Sequence, residues 1–271
     1  MLGSLLFKLV RSSGGVRERL WKLAYETFPR VLPDADWWFM NYGYEPTDAE
    51  RATYGTLDES LFQWRSRAMY HYLAARAHIE GKEVLEVGCG RGGGLRHVAE
   101  TMQPASATGL DFAASAVAFC RKNHAGIPVN FVEGNSMDMP FSDESFDAVL
   151  NVESCHAYRD QAQFIREVVR VLRPGGQLVL VDVRAQWNWD PLYEWLSEAG
   201  LEVRENADIT SNVVAAIELD EPTKRALIKK RVPFWLRGLF TEFAGNVGSQ
   251  LHERLKNGEI QYRRLVAIKP A

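Results

Sequence analysis

VLEVGCGRGGG, Val84 to Gly94, is the stretch on which the reading of the fold turns. A short apolar run, EVLEV from Glu83 to Val87, gives way to glycines at 88, 90 and 92 and then to a helical pattern from Leu95 to Met102. Glycines at such a junction let the backbone turn tightly and come close to a ligand, with the N–H groups of the helix start pointing at it. The turn alone also fits dinucleotide binding and phosphate cradles. Its neighbours narrow the choice.

Outward from the turn, short apolar runs alternate with helical patterns, the signature of βαβ units and a parallel sheet. The expected strands are Glu83–Val87, Ala107–Asp111, Val129–Glu133, Phe146–Val152 and Leu178–Val183, followed by Leu201–Arg204 and a final Ile260–Ile268. Helices are expected at Ala113–His124, Gln161–Leu172 and Pro191–Ala199. The second of these carries Phe164, Ile165, Val168, Val169 and Leu172 on one face and stops at Arg173-Pro174-Gly175-Gly176. The fold class is therefore α/β, a Rossmann-like, doubly wound, seven-stranded and mostly parallel sheet.

Two segments do not belong to that alternation. Residues 210–259 carry helical patterning and an apolar cluster at Val232, Phe234, Trp235, Leu236, Leu239 and Phe240, too long a stretch for a connecting loop. The residues before the first strand are helical in pattern, apart from the aromatic, turn-rich DADWWFMNYGYEP (Asp34 to Pro46), and end in a helix from Leu61 to His78. The expected organisation is a helical N-terminal lid over 1–60, a ligand-binding core formed by 61–209 with 260–271, and a helical cap over 210–259.

Composition excludes several classes of function. Of 271 residues, 32 are Lys or Arg and 35 are Asp or Glu, a net charge of -3, so no global positive field exists to hold a nucleic acid. Cys89, Cys120 and Cys155 are odd in number and show no CxxC spacing, and no secretory leader is seen, which fits a cytoplasmic location. The apolar run near the N-terminus is broken by Lys8 and falls far short of the roughly 20 residues needed to span a bilayer. Residues 1–30 are nonetheless basic and amphipathic, a pattern of ordinary surface helices and also of peripheral membrane contact.

Three polar features describe the ligand of the glycine turn. Glu86 stands in the strand just before the first glycine, where it would repel a pyrophosphate and attract an ammonium group. Asp111 ends the second strand, where a carboxylate takes two ribose hydroxyls. Asn135 and Ser136 follow the third strand, where an adenine edge can be read. The ligand so described is an adenosyl amino acid.

In these motifs the chain resembles the class I S-adenosylmethionine-dependent methyltransferases, over about Leu61 to Val203. The resemblance implies that Glu86, Gly88, Cys89 and Gly90 hold the methionine end, Asp111 the ribose, and Asn135 with Ser136 the adenine, with Phe112 and Asn151 also lining the cofactor. Asn135 departs from the Asp usual at that position. NYGYEP (Asn41 to Pro46) resembles a glycine-tyrosine motif that places a tyrosine over the cofactor, here Tyr44. WFMNYGYE (38–45), NVESCHAY (151–158) and GSQLHERLKNGEIQYRRLVAIKPA (248–271) together resemble the phthiotriolone/phenolphthiocerol dimycocerosates methyltransferases and their relatives, which O-methylate hydroxyls of lipids and polyketide-derived products. The expected partner is then a hydrophobic small molecule, acted on by a monomer or homodimer.

An alcohol is a poor nucleophile, so a base beside it helps an in-line displacement. His156 follows the fourth strand, at the sheet edge where doubly wound folds bind ligands, and Asp182 closes the fifth strand beside it, where it can orient the imidazole. Glu153 is the rival base. Cys155 lacks the surroundings of a nucleophile and reads as a buried thiol. With only Cys155 and His156 adjacent, no metal site is expected. An N- or C-methyltransferase, or a non-catalytic adenosyl-binding protein, are the alternatives on this scaffold. Trp187, Trp189, Trp195 and Trp235 could line an apolar acceptor pocket or pack in the core.

Overall fold

The computed structural model describes residues 38–234 and 237–271. Their centre is a seven-stranded sheet of β1 (Glu83–Val87), β2 (Ser106–Asp111), β3 (Val129–Glu133), β4 (Phe146–Val152), β5 (Leu172–Ala185), β6 (Glu202–Asp208) and β7 (Ile260–Ile268), in the order β3-β2-β1-β4-β5-β7-β6. Strands β1 to β5 pair in parallel, and β7 inserts antiparallel between β5 and β6. The strand order reverses between β1 and β4, so the carboxyl ends of those two strands flank the crevice where such sheets take ligands. The doubly wound, mostly parallel sheet expected from the alternation is the fold found.

Before the sheet lie α1 (Asp48–Tyr54) and α2 (Trp64–Ala74); within it come α3 (Gly93–Met102), α4 (Ala114–Asn123), α5 (Gln161–Val171) and α6 (Asp190–Glu198); between β6 and β7 the chain forms α7 (Thr210–Arg231), α8 (Arg237–Phe243) and α9 (Gln250–Lys256). The two faces of the sheet build separate cores, as the period of two in a strand requires. Val84, Ala107, Leu150 and Val181 pack with α2 and α3, whereas Leu85, Leu110, Val149 and Leu180 pack with α5 and α6. Helix α5 shows how the sequence dictates this. Asp160 caps it by accepting the Gln163 N–H, and Phe164, Ile165, Val168 and Val171 are fully buried, each worth about 1.5–3 kcal/mol.

Strand β5 starts at Leu172, earlier than the apolar pattern suggests, because the Pro-Gly-Gly run that ends α5 is taken up by the far end of β7. Gly175 N donates to the Lys269 carbonyl and Lys269 N to the Gly176 carbonyl, at 2.8 and 2.9 Å, while the register to β4 slips between Phe146 and Ala148. Strand β6 likewise runs on to Asp208 through β7 pairing that its polar residues gave no reason to expect.

The expected helix from Leu61 begins only at Trp64, and residues 38–47 of the aromatic stretch before α1 form irregular chain, with a bend at Asn41 and Gly43 at φ +92°. That segment is tied to α7 by Glu45 N to the Asn212 carbonyl and Asn212 Nδ2 to the Glu45 carbonyl, at 3.1 and 2.8 Å. Of the apolar cluster expected near 232–240, Val232 and Phe240 bury with Ile228 while Phe234 is 83 % exposed; Trp235 and Leu236 lie outside the described residues. Among the described residues no helix is long and apolar enough to cross a membrane, and the basic stretch 1–30 lies outside them.

Candidate active site

The glycine turn is shaped by what crowds it. Gly88 has φ +76°, and a Cβ there would meet Ser154 Oγ at 2.5 Å and Tyr158 Oη at 2.8 Å, so only glycine lets the loop after β4 close over the end of β1. A Cβ on Gly94 would lie 2.0 Å from the Tyr70 ring, which seats α3 directly on α2. Gly90 is different: the nearest atom to a Cβ there is Met40 Sδ at 3.9 Å, so its backbone borders open space. Cys89 is buried beside Gly109, and burial together with the neighbouring Cys120 thiol keeps it protonated.

Glu86 is fully buried beneath this turn. One carboxyl oxygen accepts from Tyr70 Oη at 2.7 Å and the other has no hydrogen-bond partner. Burial raises its pKa to about 8 against the pull of Tyr70 and the Leu95 amide, so near neutrality the carboxyl is largely protonated and a cation placed against it would favour the ionised form. At the end of β2, Asp111 accepts from Gly90 N at 2.8 Å and from Ala113 N at 2.9 Å. Those two amides aim the carboxylate, and each oxygen keeps acceptor capacity for a ribose hydroxyl. Burial raises Asp111 above the usual carboxylate range despite them. Phe112 beside it is 37 % exposed, a free aromatic face. Asn135 is exposed, its Oδ1 closing a turn onto Met137 N at 3.0 Å, with Ser136 half-buried next to it. An orphaned buried carboxyl oxygen, an open cradle at Gly90 and an aimed acid at the next strand fit an amino acid joined to a nucleoside.

Beyond β4 the chain makes one 3₁₀ turn, Cys155–Ala157. Asn151 pins it: Nδ2 donates to the Val87 carbonyl at 3.0 Å, to Ser154 Oγ at 2.8 Å and to Tyr158 Oη at 3.1 Å, and Oδ1 accepts from Cys155 N at 3.2 Å. Expected to touch the cofactor, Asn151 is fully buried with its amide spent on holding the loop to β1.

The turn delivers His156 to Asp182. Asp182 Oδ2 accepts from His156 N at 2.9 Å, and Oδ1 binds His156 Nδ1 at 2.5 Å. The carboxylate is completely buried, whereas the imidazole side chain is 31 % exposed. Burial alone would raise Asp182; His156, Arg184 and the Val183 amide outweigh it and hold the acid below its ordinary range. Arg184, two residues on in β5, was not marked by the sequence. Buried under the dyad, it donates to Asp182 Oδ2 at 2.9 Å, to Gln161 Oε1 at 2.7 Å and to Cys155 Sγ at 3.2 Å. Burial pushes the Cys155 thiol up to about 12, which suits its place as a packed, unreactive neighbour.

Glu153 occupies the left-handed region at φ +50°. Its carboxyl accepts from Tyr42 N at 3.2 Å and faces the buried Tyr262 hydroxyl. Burial lifts Glu153 to about 7, with Tyr42, Tyr262 and His156 pulling the other way.

Tyr44 does not cover this site. Its hydroxyl donates to Glu50 Oε2 at 2.6 Å, Arg264 approaches from β7, and its ring packs against Tyr72, so it belongs to a buried polar network. The residues of the same segment that do arrive are Met40, against Gly90, and Tyr42, on Glu153. The tryptophans divide as well. Trp189 is core, Trp187 is 75 % exposed, Trp235 lies outside the described residues, and the 430 Å³ cavity between residues 39–42, 59–66 and α7 is bordered by Trp64 instead. Among the described residues no three His, Cys, Asp or Glu side chains are grouped as metal ligands.

Residues 85–180 match the family of methyltransferase domains. The chain is 37 % identical over 256 residues to the fatty-acid O-methyltransferase of Mycolicibacterium smegmatis, covering 94 % of this chain and 92 % of the relative. It is 37 % identical over 254 residues to phthiotriol/phenolphthiotriol dimycocerosates methyltransferase 1 of Mycobacterium ulcerans, covering 93 % and 90 %. Among solved structures, geranyl diphosphate C-methyltransferase of Streptomyces coelicolor, in complex with Mg2+, geranyl diphosphate and S-adenosyl-L-homocysteine, shares the fold at a TM-score of 0.66 and 18 % identity, over 93 % of this chain and 97 % of that one. So does the (4+2)-cyclase SpnF, at 0.67 and 22 %, over 96 % and 97 %. Fold and glycine turn together define a methyltransferase that uses S-adenosylmethionine. Within that class, the chain belongs to the family of the fatty-acid and phthiotriol/phenolphthiotriol dimycocerosates methyltransferases.

Proposed function

We propose that the enzyme methylates a hydroxyl oxygen of a hydrophobic, lipid-type acceptor, with His156 as general base. The observation that carries this reading is the His156–Asp182 pair: Nδ1 is committed to a buried carboxylate at 2.5 Å, while Nε2 has no hydrogen bond among the described residues on a partly exposed ring. A base arranged in this way takes a proton at Nε2, and Asp182 stabilises the imidazolium that results. S-adenosylmethionine supplies the electrophilic methyl group on a sulfonium. Glu86, Gly88, Cys89, Gly90, Asp111, Phe112, Asn135 and Ser136 would hold it, and the N-terminal segment with α7 to α9 would form the cover over the acceptor. The names of the two relatives, one acting on fatty acids and one on phthiotriols, support an oxygen acceptor on a lipid.

His156→Gln tests it. Turnover is expected to fall about 10²–10⁴-fold, the range for a general base, with affinity for S-adenosylhomocysteine within twofold of the parent. Unchanged turnover removes His156 from the mechanism. A second base is favoured by one observation: Glu153, lifted to about 7, is ionised in part of the population near neutrality and sits against the same loop. Glu153→Gln, rather than the histidine variant, would then carry the larger loss.

A further inference from the structure

Helix α7 ends in a stretch of one sign of charge. From Pro222 to Thr241 the chain carries Lys224, Arg225, Lys229, Lys230, Arg231 and Arg237 and neither Asp nor Glu, in a protein whose net charge is -3. Such a local run points to an anionic partner that the chain as a whole does not attract.

The fold divides these cations by what they touch. Arg225 is bound to Glu221, and Arg237 donates to the carbonyls of Val232 at 3.0 Å and Lys229 at 2.7 Å, closing the end of α7. Lys224 is half-buried and reaches the Tyr42 carbonyl at 3.3 Å. Lys229 and Lys230 are exposed and make no hydrogen bond or ion pair among the described residues. The acids nearest in sequence are already engaged: Asp220 by Arg65, Glu221 by Arg225 and Val247 N, and Glu242 by Gln250 N.

Apolar groups share this face. Ile228, Val232 and Phe240 bury together and anchor the chain just past the helix, while Phe234 between them is turned almost wholly to water. Along α7, steps of four and three lead from Leu219 through Thr223 and Leu227 to Lys230, so the lysine continues the stripe that borders the 430 Å³ cavity. Leu219 on that stripe is exposed, and so are Leu61 and Phe62 on the same cavity wall. The other large apolar side chains exposed among the described residues, Phe112, Trp187 and Val203, follow or belong to strands of the sheet. An exposed ring beside unpaired lysines is what an interfacial helix offers a lipid surface, the ring entering the headgroup region and the ammonium groups meeting phosphates. An acidic protein would also answer the lysines. The apolar groups, however, are spread from Leu219 to Phe234 rather than gathered into one anchor, which suits a fluid surface better than a shaped partner.

We propose that the C-terminal end of α7 docks on a bilayer carrying anionic lipids, with Lys229 and Lys230 on the headgroup phosphates and Phe234 inserted between them. The inference goes beyond methyl transfer and does not depend on it, because it concerns where the enzyme rests and not what it methylates.

Flotation of the full chain with vesicles tests it, with no acceptor and no turnover. Vesicles of equal parts phosphatidylglycerol and phosphatidylcholine should carry the protein, those of phosphatidylcholine alone should not, and the bound fraction should fall as salt is raised. Lys229→Glu/Lys230→Glu is expected to weaken binding to the anionic vesicles tenfold or more, since each cation near such a surface contributes about fivefold. Lys229→Arg/Lys230→Arg should bind as the parent does, and Phe234→Ser should bind severalfold more weakly at every salt concentration. Melting temperature and affinity for S-adenosylhomocysteine check that the variants are folded. Lys8→Glu/Arg11→Glu, in the basic stretch near the N-terminus, serves as the comparison. Equal binding to the two kinds of vesicle, binding to neither, or a loss in the N-terminal variant with none in the α7 variants overturns the proposal.

Discussion

The carboxylate of Asp182 grips His156 twice, taking the backbone N–H on one oxygen at 2.9 Å and ring Nδ1 on the other at 2.5 Å. The main-chain contact fixes where the residue sits and the ring contact fixes which tautomer it adopts, so Nε2 is left as the acceptor of a proton. Asp182→Asn keeps the shape but offers an amide that can favour the wrong tautomer. Its kcat should fall at least 10²-fold with KM for S-adenosylmethionine little changed. A kcat within twofold of the parent would show that the grip has no catalytic consequence.

Arg184 spends its guanidinium on Asp182, Gln161 and Cys155. Without its guanidinium, Asp182 loses a charge-assisted bond at 2.9 Å and a positive charge that holds its pKa down. Arg184→Met should lower kcat tenfold or more and move the acidic limb of the pH–rate profile, while Arg184→Lys recovers part of both. Loss of thermal stability with an unmoved pH profile would mark the arginine as structural only.

Glu86 and Glu153 are raised to about 8 and about 7 from an ordinary 4.5. Between pH 4.5 and 8 the native apoenzyme therefore binds more protons than the unfolded chain, and its unfolding free energy falls as pH rises through that window. The melting temperature of the apoenzyme should be higher at pH 6 than at pH 8, and Glu86→Gln should flatten that slope. S-adenosylmethionine works in the opposite sense. Its ammonium favours ionised Glu86, so its affinity should rise from pH 6 towards pH 8 in the parent and much less in Glu86→Gln. A parental slope retained in the variant, by calorimetry, would dissociate Glu86 from the ammonium.

Gly94 and Gly126 separate crowding from backbone strain. Gly94→Ala drives a methyl group to 2.0 Å from the Tyr70 ring and should destabilise by about 1–3 kcal/mol or more, the usual cost of overpacking, disturbing Glu86 through Tyr70. Gly126→Ala meets no atom within 4 Å and bears only the strain of φ +88°, about 1–2 kcal/mol, with cofactor affinity unchanged. Denaturant unfolding alongside cofactor binding distinguishes the two.

Tyr44→Phe should leave S-adenosylhomocysteine binding alone and reduce stability by about 1.5–3 kcal/mol, since its hydroxyl bonds a carboxylate in the buried Glu50 network. Weakened cofactor binding at unchanged stability would return the tyrosine to the cofactor.

The centre of the sheet was legible because β1, β4 and the second half of β5 are buried on both faces and read as apolar runs. So was the glycine turn, where steric demand leaves little choice of residue, and the His156–Asp182 pair, which follows from neighbouring strands ending at one edge. Strand β6 and the start of β5 were not, because their extent comes from pairing with β7, a partner far along the chain. Where Tyr44 goes was not legible for a related reason: NYGYEP sets two tyrosines about Gly43, whose φ of +92° breaks the alternation of an extended chain, and the partners Glu50 and Arg264 that take Tyr44 lie in other elements. Arg184 carried one usable signal, its alternation with Asp182 on β5, which places both on the same side of the strand.

At Glu153 the backbone adopts a left-handed turn, φ +50°, that an unbranched glycine would take up without penalty. Replacing it with glycine should relieve about 1 kcal/mol of backbone strain, offset by the freedom glycine gives the unfolded chain and by loss of the bond from Tyr42 N. The strained backbone is thus held in place by the side chain it presents. Stability alone therefore gives little pressure at this position, in either direction, and whatever keeps a carboxylate there must lie in what it touches.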